Sequence, residues 1–306
     1  MKASTTKTAH TPKFSGLIDL HTHGIDRYDT RTSDPEDILK IAVLHGKAGT
    51  AAILPTIYPA PIDEMRANME AVRKAMDIRK PGKNNSSRFT LHASRILGVH
   101  LEGPFLNPLR CGALDKASFI KPDISNLKRL INGYEDITKI MTIAPEMPGA
   151  LKVIERCGDM GIRINMGHSD ATYRQALDGK KAGAAGITHI FNAMRPFHHR
   201  EPGIAGFGLL DEDIYIEAIA DGIHLRPETL KLIFSLKRHD RIMLVSDSVK
   251  GAQDNRKAVY ISKGILAGSS ITIRKSADLL KNLGIPINKI LAAAVKNPAR
   301  YLSMSS

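Results

Sequence analysis

Short apolar runs alternate with amphipathic stretches along most of the chain, and that alternation constrains the fold more than any other feature. Eight runs read as strands: SGLIDLHTH (15–23), TAAILPTIY (50–58), RILGVHLEG (95–103), ITKIMTIAPE (137–146), GIRINMGHS (161–169), AGITHIFN (185–192), DIYIEAIADG (213–222) and DRIMLVSDS (240–248). Between them, 35–47, 61–78, 149–160, 171–181 and 227–237 carry helical periodicity. Residues 104–136 place Pro104, Pro108 and Pro122 before a candidate helix, and 193–212 reads as a loop. Near-continuous apolar strands separated by helices make a parallel sheet, because helices cover both of its faces. Eight such units over about 230 residues favour a closed (β/α)8 barrel of TIM type. The alternative, an open doubly wound sheet, is weakened by the lack of a glycine-rich phosphate loop after the first strand. Residues 249–270 have the pattern of a hairpin over the barrel mouth, and helices near 275–283 and 287–296 end the chain. Residues 1–13, polar and rich in Thr and Lys, read as a mobile tail, which leaves 14–306 as one barrel domain.

With 42% hydrophobic and 25% charged residues the chain can build a substantial core, but with no Trp and only 5% aromatics that core must be aliphatic. No apolar run approaches the ~18–20 residues of a membrane span, and the N-terminal MKASTTKTAHTPKF lacks the apolar centre of a secretory signal. Two cysteines, Cys111 and Cys157, make no disulfide framework. These features point to the cytoplasm and to no membrane partner. A net charge of +13 suits an anionic ligand. The cations are scattered, however, with no aromatic residues interleaved to stack bases, so no nucleic-acid partner is expected.

In a barrel of this kind, the C-terminal strand ends form the reactive face. Strand one ends with His21 and His23, strand three with Glu102, strand five with His168, strand six with His189 and strand eight with Asp247; His224 follows strand seven. Each alone has an ordinary structural reading. Their recurrence at the same relative place in five strands argues for a metal centre, since imidazole and carboxylate are the donors that Zn2+ and Fe2+ take. The count suffices for two divalent ions, with Glu102 placed to bridge them. His198 and His199 read as loop residues, and His92 and His100 as incidental.

With those residues in view, the chain resembles the amidohydrolase superfamily and, within it, the N-acetylglucosamine-6-phosphate deacetylases. The resemblance rests on GLIDLHTHG, GVHLEGPFLNP, TIAPE, NMGHSDATY, THIFNAM, HHREPGIAG, IADGIHLRP, LVSDS, ILAGSS and KNPAR, in the family's order over about 14–300. It implies that Glu102, His168 and His189 hold a principal metal, and His21 and His23 a second that some members lack. It implies that Asp247 is the catalytic acid and base, and that His224 contacts the sugar and polarises the acetyl carbonyl. Asn192, Ala193 and Arg200 resemble the phosphate-binding group, with Arg200 acting across a homodimer. Segments 144–146 and 266–268, including Leu266, resemble cleft walls. The implied substrate is a phosphorylated amino sugar, and the implied products are acetate and an amino-sugar 6-phosphate.

The chain departs from the family in places. The small β-sandwich domain that members build before and after the barrel is largely missing, the loop after HTHG reads Ile25-Asp26-Arg27-Tyr28-Asp29, and Ser248-Val249-Lys250 follows Asp247. The N-acetylgalactosamine epimer shares the same residue set. A cyclic amidase or deaminase often has a carboxylated Lys on strand four, and Lys139 lies at the wrong end for that role. A barrel that binds metal without turnover is the non-enzymatic alternative.

Overall fold

A computed structural model describes residues 16–78, 93–252, 258–260 and 264–303; the tail expected over 1–13 lies outside them. All eight expected strands form: β1 (Leu17–Thr22), β2 (Thr50–Ile57), β3 (Val99–Glu102), β4 (Thr138–Ile143), β5 (Arg163–Met166), β6 (Gly186–Ile187), β7 (Tyr215–Ile219) and β8 (Ile242–Val245). Each pairs in parallel with the next, in sequence order. They are shorter than the apolar runs because the ladder stops where the chain turns into the loops of the mouth. The third run divides, with a two-residue strand at Arg95–Ile96 also pairing with β2. The ring comes nearly to closure through the backbone: Asp247 N donates to His21 O at 2.9 Å and His23 N to Ser248 O at 2.8 Å.

Helices cover the outside: α1 (Pro35–Lys47), α2 (Ile62–Ile78), α3 (Ile124–Ile131), α4 (Ala150–Asp159), α5 (Tyr173–Lys181), α6 (Gly203–Leu210) and α7 (Pro227–Leu236). The start of α1 is set locally, since the Asp34 side chain accepts from Glu36 N and Pro35 fills the first helical position. The loop expected over 193–212 contains α6, whose GIAGFGLL is buried at all but its last residue. A helix covered on every side shows no apolar stripe, which is why periodicity misses it. The expected hairpin is present as β9 (Ala258–Tyr260) against β10 (Leu266–Ser269). After α8 (Ile273–Asn282), the last helical stretch runs further than expected. It passes from α9 (Ile287–Leu291) through a π-helical segment at Ala292–Lys296 into α10 (Asn297–Ser303).

Alternation along the strands sorts side chains into two layers. Ile216 and Ala218 join the outer core under the helices. Tyr215 and Ile219 join a second buried cluster with Ala52, Leu54, Ile140, Met243, Val245 and Tyr301 of α10. Glu217 lies on that second face, and no part of it is exposed.

Candidate active site

The polar strand ends meet at the mouth. Glu102 Oε1 lies 3.1 Å from His168 Nε2 and 3.0 Å from His189 Nε2. Its other oxygen lies 3.1 Å from His23 Nε2. His21 Nε2 and His23 Nε2 are 3.2 Å apart, and each is 3.5 Å from Asp247 Oδ1. Glu102, His168 and His189 thus form one donor cluster, and His21, His23 and Asp247 another beside it. All lie almost wholly out of solvent.

The backbone is bent to achieve this. His168, His189 and Asp247 adopt positive φ of 46°, 25° and 48°. Each such conformation costs a non-glycine residue roughly 1–3 kcal/mol, strain that persists where the surroundings hold it for a purpose. At Gly268, with φ of 152°, a Cβ would stand 2.6 Å from Asp247 O, so only glycine lets the hairpin lie against this residue. Ser269 N then donates to Asp247 O at 2.9 Å.

Hydrogen bonds orient the imidazoles. His23 Nδ1 faces Thr56 O at 3.1 Å and His168 Nδ1 faces Arg110 O at 2.9 Å. A carbonyl only accepts, so these nitrogens carry the protons and their Nε2 atoms present lone pairs. His21 Nδ1 is held likewise, by Glu217 Oε2 at 3.2 Å. Among the described residues His189 Nδ1 has no partner. For His21, His23 and His168, lone pairs and carboxylate oxygens therefore converge without an N–H between them, an arrangement that a cation makes favourable.

Electrostatics set the carboxylates of the cluster apart. Burial raises the Glu102 carboxyl, but His168, His189 and His23 outweigh it and hold the group well below the usual range. Burial first, then Glu102 and Glu217, push the Asp247 carboxyl well above its ordinary value. Burial also depresses His21 far below the usual imidazole range and raises Asp19 to about 7.

A cavity of about 310 Å³ opens over this cluster. Its walls include His224, Asn192, Ala193 and Leu266, four positions the sequence singles out. His224 Nδ1 donates to Asp221 Oδ2 at 2.6 Å. Arg200 does not line it: on an exposed loop, its guanidinium meets His199 at 3.1 Å. The hairpin segment 266–268 is a wall, as expected. Segment 144–146 is not, because Pro145 and Glu146 line a separate cavity, and Glu146 accepts from Asn107, Ser169 and Asp170. His100, read as incidental, is buried in the barrel, facing Leu20 O at 3.0 Å and Thr142 Oγ1 at 2.8 Å. Sequence reasoning missed Glu217 and Asp221; a lone acid inside an otherwise apolar strand was the available signal for the first.

The sequence matches the Amidohydrolase family over residues 14–306. The chain belongs to the amidohydrolase family. Among relatives of this amidohydrolase, an N-acetylgalactosamine-6-phosphate deacetylase of Escherichia coli O157:H7 is 30% identical across 94% of this chain and 77% of its own length. An N-acetylglucosamine-6-phosphate deacetylase of Bacillus subtilis is 34% identical across 87% of this chain and 64% of its own. Among solved structures, the N-acetylglucosamine-6-phosphate deacetylase of Thermotoga maritima superposes with a TM-score of 0.82 at 27% identity, covering 94% of this chain and 78% of that one. A Mycobacterium smegmatis deacetylase in complex with N-acetyl-D-glucosamine-6-phosphate gives 0.83 at 27% identity, covering 94% and 77%. Amidohydrolases depend on metal, and the donor clusters of this one fit such an ion. Among the described residues, no helix is long and apolar enough to cross a membrane.

Proposed function

We propose that this amidohydrolase cleaves the acetamide of an N-acetyl-hexosamine 6-phosphate, with N-acetylglucosamine 6-phosphate as its substrate. One observation carries the reading: Glu102, His168 and His189 converge within 3.0–3.1 Å in the wall of the cavity that Asp247 and His224 also line. Glu102, His168 and His189 would hold a principal divalent ion, and His21 and His23 a second. Zn2+ and Fe2+ suit these donors. A bound ion supplies Lewis acidity and brings the pKa of water down to ~7.

The chain's own groups do the rest. Asp247 takes the proton of the attacking water and hands it to the departing amine, which leaves poorly unless protonated. His224, with its Nδ1 proton held by Asp221, would donate from a second proton on Nε2 to the acetyl oxygen as charge builds there, a role open to the imidazolium and not to the neutral ring. Asn192, Ala193 and Leu266 seat the sugar phosphate. Arg200 reaches the phosphate from a second copy in a homodimer, which is compatible with its exposure on the single chain. All the groups named lie between His21 and Leu266, which supports 14–306 working as one catalytic unit. A sugar phosphate crosses no bilayer unaided, which supports a cytoplasmic enzyme.

A second reading, the N-acetylgalactosamine epimer, is favoured by the Escherichia coli relative. Acetate release from both 6-phosphates and from both free sugars tests the assignment. Turnover that requires the phosphate supports it, and the faster epimer names the substrate. Equal turnover of the unphosphorylated sugars overturns it.

A further inference from the structure

Below the mouth, a single line of hydrogen bonds runs from the candidate metal centre to the last helix of the chain. His21 Nδ1 donates to Glu217 Oε2 at 3.2 Å. Glu217 Oε1 accepts from Asn165 Nδ2 at 2.7 Å. Asn165 Oδ1 accepts from the Tyr301 hydroxyl of α10 at 2.5 Å. His21, Glu217, Asn165 and Tyr301 are all fully buried.

With Glu217 as a carboxylate, the donor and acceptor roles along this line are ordered. Burial raises the Tyr301 hydroxyl far above its ordinary value, so it keeps its proton and donates. Asn165 must then turn its oxygen toward Tyr301 and its NH2 toward Glu217. Glu217, held on both sides, accepts from His21 and fixes its proton on Nδ1, which leaves Nε2 free to take a metal. The space is cut to measure: a Cβ on Gly186 would stand 2.3 Å from Asn165 Oδ1 and 2.8 Å from the Tyr301 hydroxyl.

We propose that Tyr301 is a positioning residue for the metal centre: acting through Asn165 and Glu217, the C-terminal helix sets how tightly the His21–His23 position holds its ion. The Glu102–His168–His189 position meets this strut at its upper end, where the backbone N–H of His189 lies 3.4 Å from Glu217 Oε2 and Glu102 Oε1 lies 3.5 Å from His21 Nε2. The inference rests on the metal assignment above, but it does not need the substrate assignment.

The test is titration of metal-free protein with Zn2+ against a chromophoric chelator, which reports the affinity of each position. The phase that His23→Asn abolishes marks the second position. Glu217→Gln should weaken that phase by about 10–100-fold and Tyr301→Phe by about tenfold, with the other phase weakened less. The double variant should bind no worse than Glu217→Gln alone, because both act along one line. Asn165→Ala, which cuts the middle link, should weaken the same phase. Additive effects, equal weakening of both phases, no change in Tyr301→Phe, or a single phase in the parent chain would each overturn the proposal. Because turnover is not read, a chain that shows the Tyr301 effect yet releases no acetate would count against the deacetylase reading alone.

Discussion

The backbone N–H of Asp247 donates to the carbonyl of His21 at 2.9 Å. The bond that joins the barrel's last strand to its first therefore also sets the spacing between the candidate acid and the candidate metal ligand. Asp247 has a φ of 48°, and its carboxyl oxygen stands 3.5 Å from His21 Nε2 and from His23 Nε2. Its carboxylate is buried among Glu102, Glu217, Asp19 and Asp221. Asp247→Asn keeps the size and removes the charge. Turnover should fall by about 10²–10⁴-fold while metal content stays at the parent level. Rates from acetate release and metal by elemental analysis check this, and a variant that keeps a tenth of the parent rate contradicts it.

His224 and Asp221 act as a pair in this account. His224→Ala should lower kcat by about 10²–10³-fold, as loss of one donor to a developing oxyanion does. Asp221→Asn should lose less, because the imidazole stays but its proton and direction are no longer held. If the loss appears in KM with kcat intact, His224 binds sugar and does no more.

Metal removal should cost stability as well as rate. Five buried carboxylates, those of Asp19, Glu102, Glu217, Asp221 and Asp247, share the interior with the imidazoles. A cation offsets their mutual repulsion, so chelation should lower Tm and Zn2+ should restore it. A hundredfold excess of free ion over Kd corresponds to about 2.7 kcal/mol. Calorimetry with and without chelator checks this, and identical melting curves count against a bound ion.

His45 offers a pH test at a histidine outside the two donor clusters. It sits behind β1, with Nε2 3.0 Å from Thr22 Oγ1, and burial lowers it from 6.5 to about 4. The folded state binds the proton more weakly than the unfolded state, so this contribution is present above pH 6.5 and is lost as pH falls toward 4. At full extent the loss is about 3 kcal/mol. Asp19, raised to about 7, works in the opposite direction, so the comparison is made against His45→Gln, which differs only at this group. Denaturant midpoints should show the parent losing ground to the variant between pH 6.5 and pH 4. A constant difference across that range contradicts the assignment.

Much of this architecture was legible in the residues. Eight apolar runs became eight parallel strands, because strands covered on both faces must be apolar throughout. Five metal-type donors could be read because each falls at a strand end, where phase alone brings side chains together. The groups beneath them were harder to read. Glu217 hides in an apolar run, and its value depends on partners 196 and 52 residues away in sequence, His21 and Asn165. His100 has the same strand phase as Glu102, but only the fold shows that it meets a carbonyl and a threonine. Helix α6 lacked a stripe because it has no solvent face. Arg200 could be read as a cation but not as one outside the cavity of its own chain, since a loop's direction is set by packing and not by pattern.

The most direct measurement is acetate release from N-acetylglucosamine 6-phosphate by protein stripped of metal and then restored with Zn2+ or Fe2+, with Asp247→Asn beside it. The account predicts no turnover in the stripped protein, recovery on restoring the ion, and loss again in the variant. Metal bound at the expected ratio with no acetate released from either epimer would contradict it.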